Sequence, residues 1–183
     1  MDSIIKLDQT IILFIQDNLR FQVLNWVMIV ASVLSNGGAI WILTSIIFII
    51  MKKYRRLGFV LIICIGISWA IDSLVIKNFV MRPRPYDELD SVIPLIKKLD
   101  SWSFPSGHAC ASFAGAWVIT KALSKKYGAA YVYSAFVAIS RVYLGVHYPT
   151  DVIVGALVGV FVSMLVYWLL GKYIFKQDIR VCV

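Results

Sequence analysis

Only two histidines occur in the chain, His108 and His147, and each sits in a short cluster of residues able to do chemistry. Lys77 is followed, after six residues, by Arg84-Pro85. A second cluster reads Pro105-Ser106-Gly107-His108. The third is Ser140-Arg141, five residues, His147, three residues and Asp151. Brought together, Lys77, Arg84 and Arg141 would repel one another unless an anion neutralised them. Phosphate suits them, because guanidinium forks match its oxygens in pairs and an ammonium adds a point charge. Ser106 reads as a helix N-cap. Its hydroxyl and the amides of Gly107 and His108 would then face the same anion, with no side chain on Gly107 to obstruct the approach.

Asp151 stands four residues beyond His147, within reach of one ring nitrogen. Held that way, the imidazole keeps one tautomer and offers its other nitrogen to phosphorus. Pro149 suits the first turn of a helix, which leaves His147 just ahead of it. His108 can protonate the leaving oxygen and later activate water. No ligand set points to a metal or other cofactor, and the cations can neutralise charge that a metal would otherwise handle.

Single residues have plainer readings. A lone histidine on an apolar helix is more often a satisfied structural group, but two inside matched clusters reverse those odds. Arg82 also precedes a proline, yet the spacing from Lys77 selects Arg84. Lys97 and Lys98 read as solvated loop charges. Asp72 interrupts an apolar run, where an acid is costly; it either supports Lys77 or Arg84 or bonds a neighbouring helix. Gly155 and Gly159 read as a packing pair inside a bundle.

The elements that must position these groups are set by composition. Of the 183 residues, 60% are hydrophobic and 15% charged, against roughly a quarter charged in soluble domains. Mean hydropathy is +0.82. So much apolar surface cannot all be buried by a domain this small, so its solvent is lipid. The net charge of +8 does not imply nucleic acid, because the basic residues lie in short clusters between apolar runs. Cys64, Cys110 and Cys182 show no disulfide or metal spacing. No cleavable signal is evident at the start, and the last four residues do not form a prenylation box.

Six hydrophobic segments are expected at about 21–35, 38–51, 57–80, 106–123, 128–146 and 150–171. The first two are short for a span of about 20 residues; they borrow flanking residues or make a tight hairpin at Asn36, Gly37 and Gly38. Residues 3–19 place Ile4, Leu7, Ile11, Phe14 and Ile15 at helical spacing, as an interfacial amphipathic helix does. Trp26, Trp41, Trp102 and Trp168 read as interfacial belts. With the N-terminus inside, twelve basic residues fall inside and six outside. Both termini are then cytoplasmic, and loop 81–105 faces out with the 146–149 turn. The apolar stretch Val92–Ile96 is a candidate aid to lipid access.

The three clusters together resemble the signature of the type 2 phosphatidic acid phosphatase superfamily, which also holds vanadium haloperoxidases and glucose-6-phosphatase. Every position from Lys77 to Asp151 matches. The resemblance implies an all-α membrane bundle of six transmembrane helices over residues 1–183, a single domain. It also implies metal-independent hydrolysis of a phosphomonoester or diphosphate through a phosphohistidine on His147, with His108 as general acid. Lys77, Arg84, Ser106, Gly107 and Arg141 would bind the phosphate. A lipid phosphatase of the cell membrane is expected, undecaprenyl diphosphate being the favoured substrate. Phosphatidylglycerol phosphate and phosphatidic acid are the alternatives, with a haloperoxidase and a transporter as more distant rivals.

Overall fold

The computed structural model describes residues 2–175. Lys176, Arg180, Cys182 and the rest of the last eight residues, on which part of the charge and cysteine readings rests, lie outside the described residues. Every regular element among the described residues is helical. In a hydrocarbon solvent the backbone must satisfy its own polar groups, which favours that choice.

The elements are α1 (Asp2–Leu19), α2 (Gln22–Leu34), α3 (Ala39–Ile50) and α4 (Arg55–Ala70). A π turn, Ile71–Ile76, carries α4 into α5 (Lys77–Val80), and α6 (Pro85–Glu88) is a short turn of helix after it. Then come α7 (Gly107–Ala122), α8 (Ala129–Tyr143) and α9 (Pro149–Leu169), the last extended by a π turn to Phe175. Two stretches, Lys52–Glu88 and Pro149–Ile174, are long and apolar enough to cross a membrane; α2 and α3 make a third if their bent pair is one span.

That pair corrects one expectation. Gly37 and Gly38 do break the run, with φ of 58° and 73°, a region open to glycine at no steric cost. The break bends the path by 44°, however, and does not reverse it into a hairpin. Contacts along the pair fix its direction. Asn25 accepts from the Tyr143 hydroxyl at 2.7 Å, Ser32 bonds Arg141, and the Ser45 carbonyl abuts Gly58 near the start of α4. The chain therefore descends from the end of α8 to the beginning of α4.

At the centre stands α7, rich in small residues, flanked by α4, α8 and α9. A Cβ on Gly155 would lie 2.5 Å from the Ser106 carbonyl oxygen, and one on Gly159 2.1 Å from that of Cys110. The glycine pair thus packs α9 on α7 within the bundle. Trp41 is buried, where a belt residue would be exposed: its ring fills the space beside Gly115 and meets Tyr133 edge-on at 5.8 Å. Trp26, Trp102 and Trp168 are exposed.

The position of α1 is a second correction. Asp8 bonds Arg82 and Thr150, and Arg20 donates to the Tyr143 and Ile93 carbonyls. The helix therefore lies at the end that holds loop 81–105 and the start of α9, while the 21 residues of α9 carry the chain about 30 Å away. The N-terminal helix and the last described turn lie at opposite ends, not both on one side. Lys6 and Arg20 change sides with it, and among the described residues the basic groups divide eight against eight.

Candidate active site

At one end of the bundle α5, the N-terminus of α7, the end of α8 and the turn before α9 converge on a cavity of about 500 Å³. Six expected residues line it: Lys77, Arg84, Gly107, His108, Arg141 and His147. Ser106 and Asp151, both fully buried, stand behind the wall. Ser35–Gly38, Trp69, Ser73, Asn78 and Leu99–Trp102 complete the lining with Ala111.

The turn at 144–148 is shaped by Gly145, at φ 74°, and by Pro149, which opens α9. It leaves His147 buried with its Nε2 at 3.4 Å from Nη1 of Arg84. Its Nδ1 lies 3.5 Å from Oδ2 of Asp151, longer than a formed hydrogen bond. The nearer partners of that carboxylate are the Ser103 hydroxyl at 2.5 Å, the Tyr148 amide at 2.9 Å and Arg82 at 2.8 Å. Burial first, then the charges of Arg84, Arg141 and Lys77, hold the His147 imidazole well below the usual histidine range. Those surroundings favour the neutral imidazole over the imidazolium.

Arg84 is fixed by the carbonyls of Ser101 and Val146, each at 2.7 Å, and by the Ser101 hydroxyl at 3.0 Å. Arg141 donates to Ser32, whose backbone also bonds the His108 ring. Ser106 is the N-cap of α7, but its hydroxyl does not cap the helix. That hydroxyl, Nε2 of His108, Nε of Arg141 and one oxygen of Asp72 find no hydrogen-bond partner among the described residues. Asp72 sits in the π turn, its other oxygen taking a 3.3 Å bond from Ser73. That oxygen would lie 3.4 Å from a Cβ on Gly107. Asp72 therefore belongs to the wall of this site.

Lys97 and Lys98 are exposed and away from the cavity, as read from sequence. Val92–Ile96 does not line it either; Val92 is buried, and Leu95 and Ile96 pack with it among Tyr86, Tyr143 and Ile12. Sequence reasoning missed Asp8, Ser32 and Ser103, and it dismissed Arg82. A signal for Asp8 was present. Asp8, Ile12, Gln16 and Arg20 recur every four residues, a stripe along one helix face. Asp8 and Ile12 on it are buried, while Ile4, Leu7 and Phe14 are exposed.

Among the described residues no group of three or more His, Cys, Asp or Glu is placed to hold a metal ion. One buried and one half-buried imidazole with three buried cations around one cavity, in an all-helical bundle, define the class. Residues 53–175 match the PAP2 superfamily, and the chain belongs to it. An undecaprenyl-diphosphatase of Sulfolobus acidocaldarius is 32% identical over 127 residues, 69% of this chain but 61% of that protein. Phosphatidylglycerophosphatase B of Bacillus subtilis is 34% identical over 157 residues, 77% of this chain and 74% of that one. The crystal structure of a transmembrane PAP2-type phosphatidylglycerolphosphate phosphatase from Bacillus subtilis superposes with a TM-score of 0.76 at 28% identity. It covers 94% of this chain and 89% of its own. Like that neighbour, this is a membrane protein.

Proposed function

We propose that this protein hydrolyses the phosphate of a membrane lipid phosphate or diphosphate through a phosphohistidine on His147. One observation carries the reading: His147, His108 and the three cations line a single cavity. Nε2 of His147 attacks phosphorus, and the bond to the leaving oxygen breaks as His108 donates a proton to it. Water, activated by His108, then attacks the phosphohistidine and releases phosphate. Lys77, Arg84 and Arg141 neutralise the equatorial oxygens, with Ser106 and the Gly107 amide completing the cradle, and Asp151 orients His147. The three cations support a reaction without a divalent metal. Undecaprenyl diphosphate is the favoured substrate, supported by the Sulfolobus relative; phosphatidylglycerol phosphate, supported by the Bacillus relatives, is the second reading.

Residues 1–183 form one domain in this reading. The bent α2–α3 pair crosses once, which gives five crossings in place of six, with α1 lying in the interface on the side of the site. At the other end Lys52, Lys53, Arg55, Arg56, Lys121, Lys125, Lys126 and Lys172 flank the spans, whereas Lys77, Arg84 and Arg141 on the near side are taken up by the cavity; that asymmetry supports a cytoplasmic far end and a site outside. A cysteine at Asp90 should react with an impermeant thiol reagent on intact cells, and one at Arg55 should not; the reverse pattern overturns the orientation.

The chemistry is tested with purified protein in detergent and a panel of lipid phosphates, read by phosphate release in EDTA. Rapid quenching should trap acid-labile, base-stable phosphate on the native enzyme and none on His147→Ala, whose turnover falls by about 10⁴-fold or more. An adduct on that variant, or activity abolished by EDTA and restored by Mg²⁺, overturns the mechanism.

A further inference from the structure

Asp8 lies on α1, outside the matched span 53–175, yet it is buried to 2% exposure on a helix whose Ile4 and Leu7 are exposed. Its Oδ2 accepts from Arg82 at 2.8 Å and from the Thr150 hydroxyl. Oδ1 accepts the Thr150 amide at 3.1 Å, so a side chain from α1 satisfies an open donor in the first turn of α9. Arg82 carries the connection inward. Its other nitrogen donates to Oδ1 of Asp151 and to the Thr150 hydroxyl, both at 2.8 Å. The guanidinium lies 3.8 Å above the Tyr148 ring, which limits its rotation. Asp151 in turn faces Nδ1 of His147.

One guanidinium is therefore shared between two carboxylates, and the group keeps a net negative charge behind the imidazole. Without Asp8, Arg82 would bear on Asp151 alone and offset the charge that faces the ring. As His147 attacks phosphorus its ring gains positive charge, which a carboxylate at Nδ1 stabilises. We infer that Asp8 and Arg82 are positioning residues for the Asp151–His147 pair, which makes the N-terminal helix a working part of the site. This rests on the reading of His147 as the attacking group. The plainer possibility is a fastener that only ties α1 to the bundle.

The two are separated by kinetics on full-length protein in detergent, with phosphatidic acid in mixed micelles as the probe. Asp8→Asn should lower kcat about tenfold, as loss of an outer partner of a histidine does, with KM changed less than about twofold. In an Asp151→Asn background the same change should have an effect below about twofold, because it acts through Asp151. Arg82→Lys keeps the charge but loses the fork, and should follow the same pattern. Native kcat in Asp8→Asn, or an equal loss with Asp151 present or replaced, overturns the inference. If Asp8→Asn is not recovered as a monodisperse protein, the Arg82→Lys cycle decides by the same criterion. His147→Ala run in parallel keeps the two levels apart. Turnover in that variant defeats the attacking-group reading, whereas an inactive His147→Ala beside a full-rate Asp8→Asn defeats only this inference.

Discussion

Behind His147, Asp151 receives the Ser103 hydroxyl, the Tyr148 amide and Arg82, all within 2.9 Å. In front of it, the Ser106 hydroxyl, Nε2 of His108 and Nε of Arg141 are just as buried and bond nothing among the described residues. An unpaired buried polar group carries a penalty of about 1–3 kcal/mol. A fold that satisfies one wall and leaves the opposite one unsatisfied has divided the two into scaffold and receptor. In the proposed reading the scaffold wall holds geometry in the resting protein, and the receptor wall would gain its partners from the phosphate.

The sharpest way to break that division is at Arg84, which belongs to both walls. Arg84→Gln should lower kcat/KM by about 10²–10³-fold, the usual scale for a lost charge donor. It also removes the leading charge that depresses His147. The His147 pKa then rises, the imidazole protonates at higher pH, and the acid limb of the rate profile moves up. Burial and the charges of Arg141 and Lys77 remain, with Asp151 and His108 nearby, so the shift is partial. A pH profile of phosphate release with an unmoved acid limb would break the link. A smaller effect comes from paired serines. Ser106→Ala should lose about tenfold in kcat/KM with an unchanged melting temperature, since no bond in the resting protein is lost. Ser103→Ala should destabilise by about 1–3 kcal/mol, seen as a lower Tm. The opposite assignment of the two outcomes would dissolve the comparison. The smallest effect on rate is expected at Gly155→Ala, whose Cβ would meet the Ser106 carbonyl at 2.5 Å. Relief of that overlap should take about 1–3 kcal/mol from stability and a few-fold from kcat/KM, measured by melting in detergent and initial rates.

Much of the receptor wall was legible in the chain because it rests on scarce residue types at fixed local spacings: two histidines, two prolines that follow arginine, one serine ahead of a glycine. Helix positions were legible too, since long apolar runs have few other ways to satisfy their backbone in lipid. Direction was not. The two apolar runs around Gly37-Gly38 read as two short segments or a tight hairpin and not as one bent path, because a helix apolar on all sides gives no sign of which face meets the bundle. The scaffold wall was least legible of all. Asp8, Arg82 and Ser103 act through partners up to 142 positions away, and the apolar stripe of α1 drew attention to residues such as Ile4, Leu7 and Phe14, which the fold leaves exposed.

The π turn at Ile71–Ile76 gives the site a sensitivity to length. There the Lys77 amide bonds the Asp72 carbonyl five residues back, where an α-helix would bond four back. Asp72 and Lys77 thus stand one above the other on the wall they share. Each residue of a helix also sets the angular phase of everything after it, at about 100° per residue. A further residue in this segment would leave hydropathy and helical content nearly as before. Beyond the one that the π turn already absorbs, it would turn the Lys77 ammonium away from the cavity, so this segment can tolerate changes of side chain that it cannot tolerate in number.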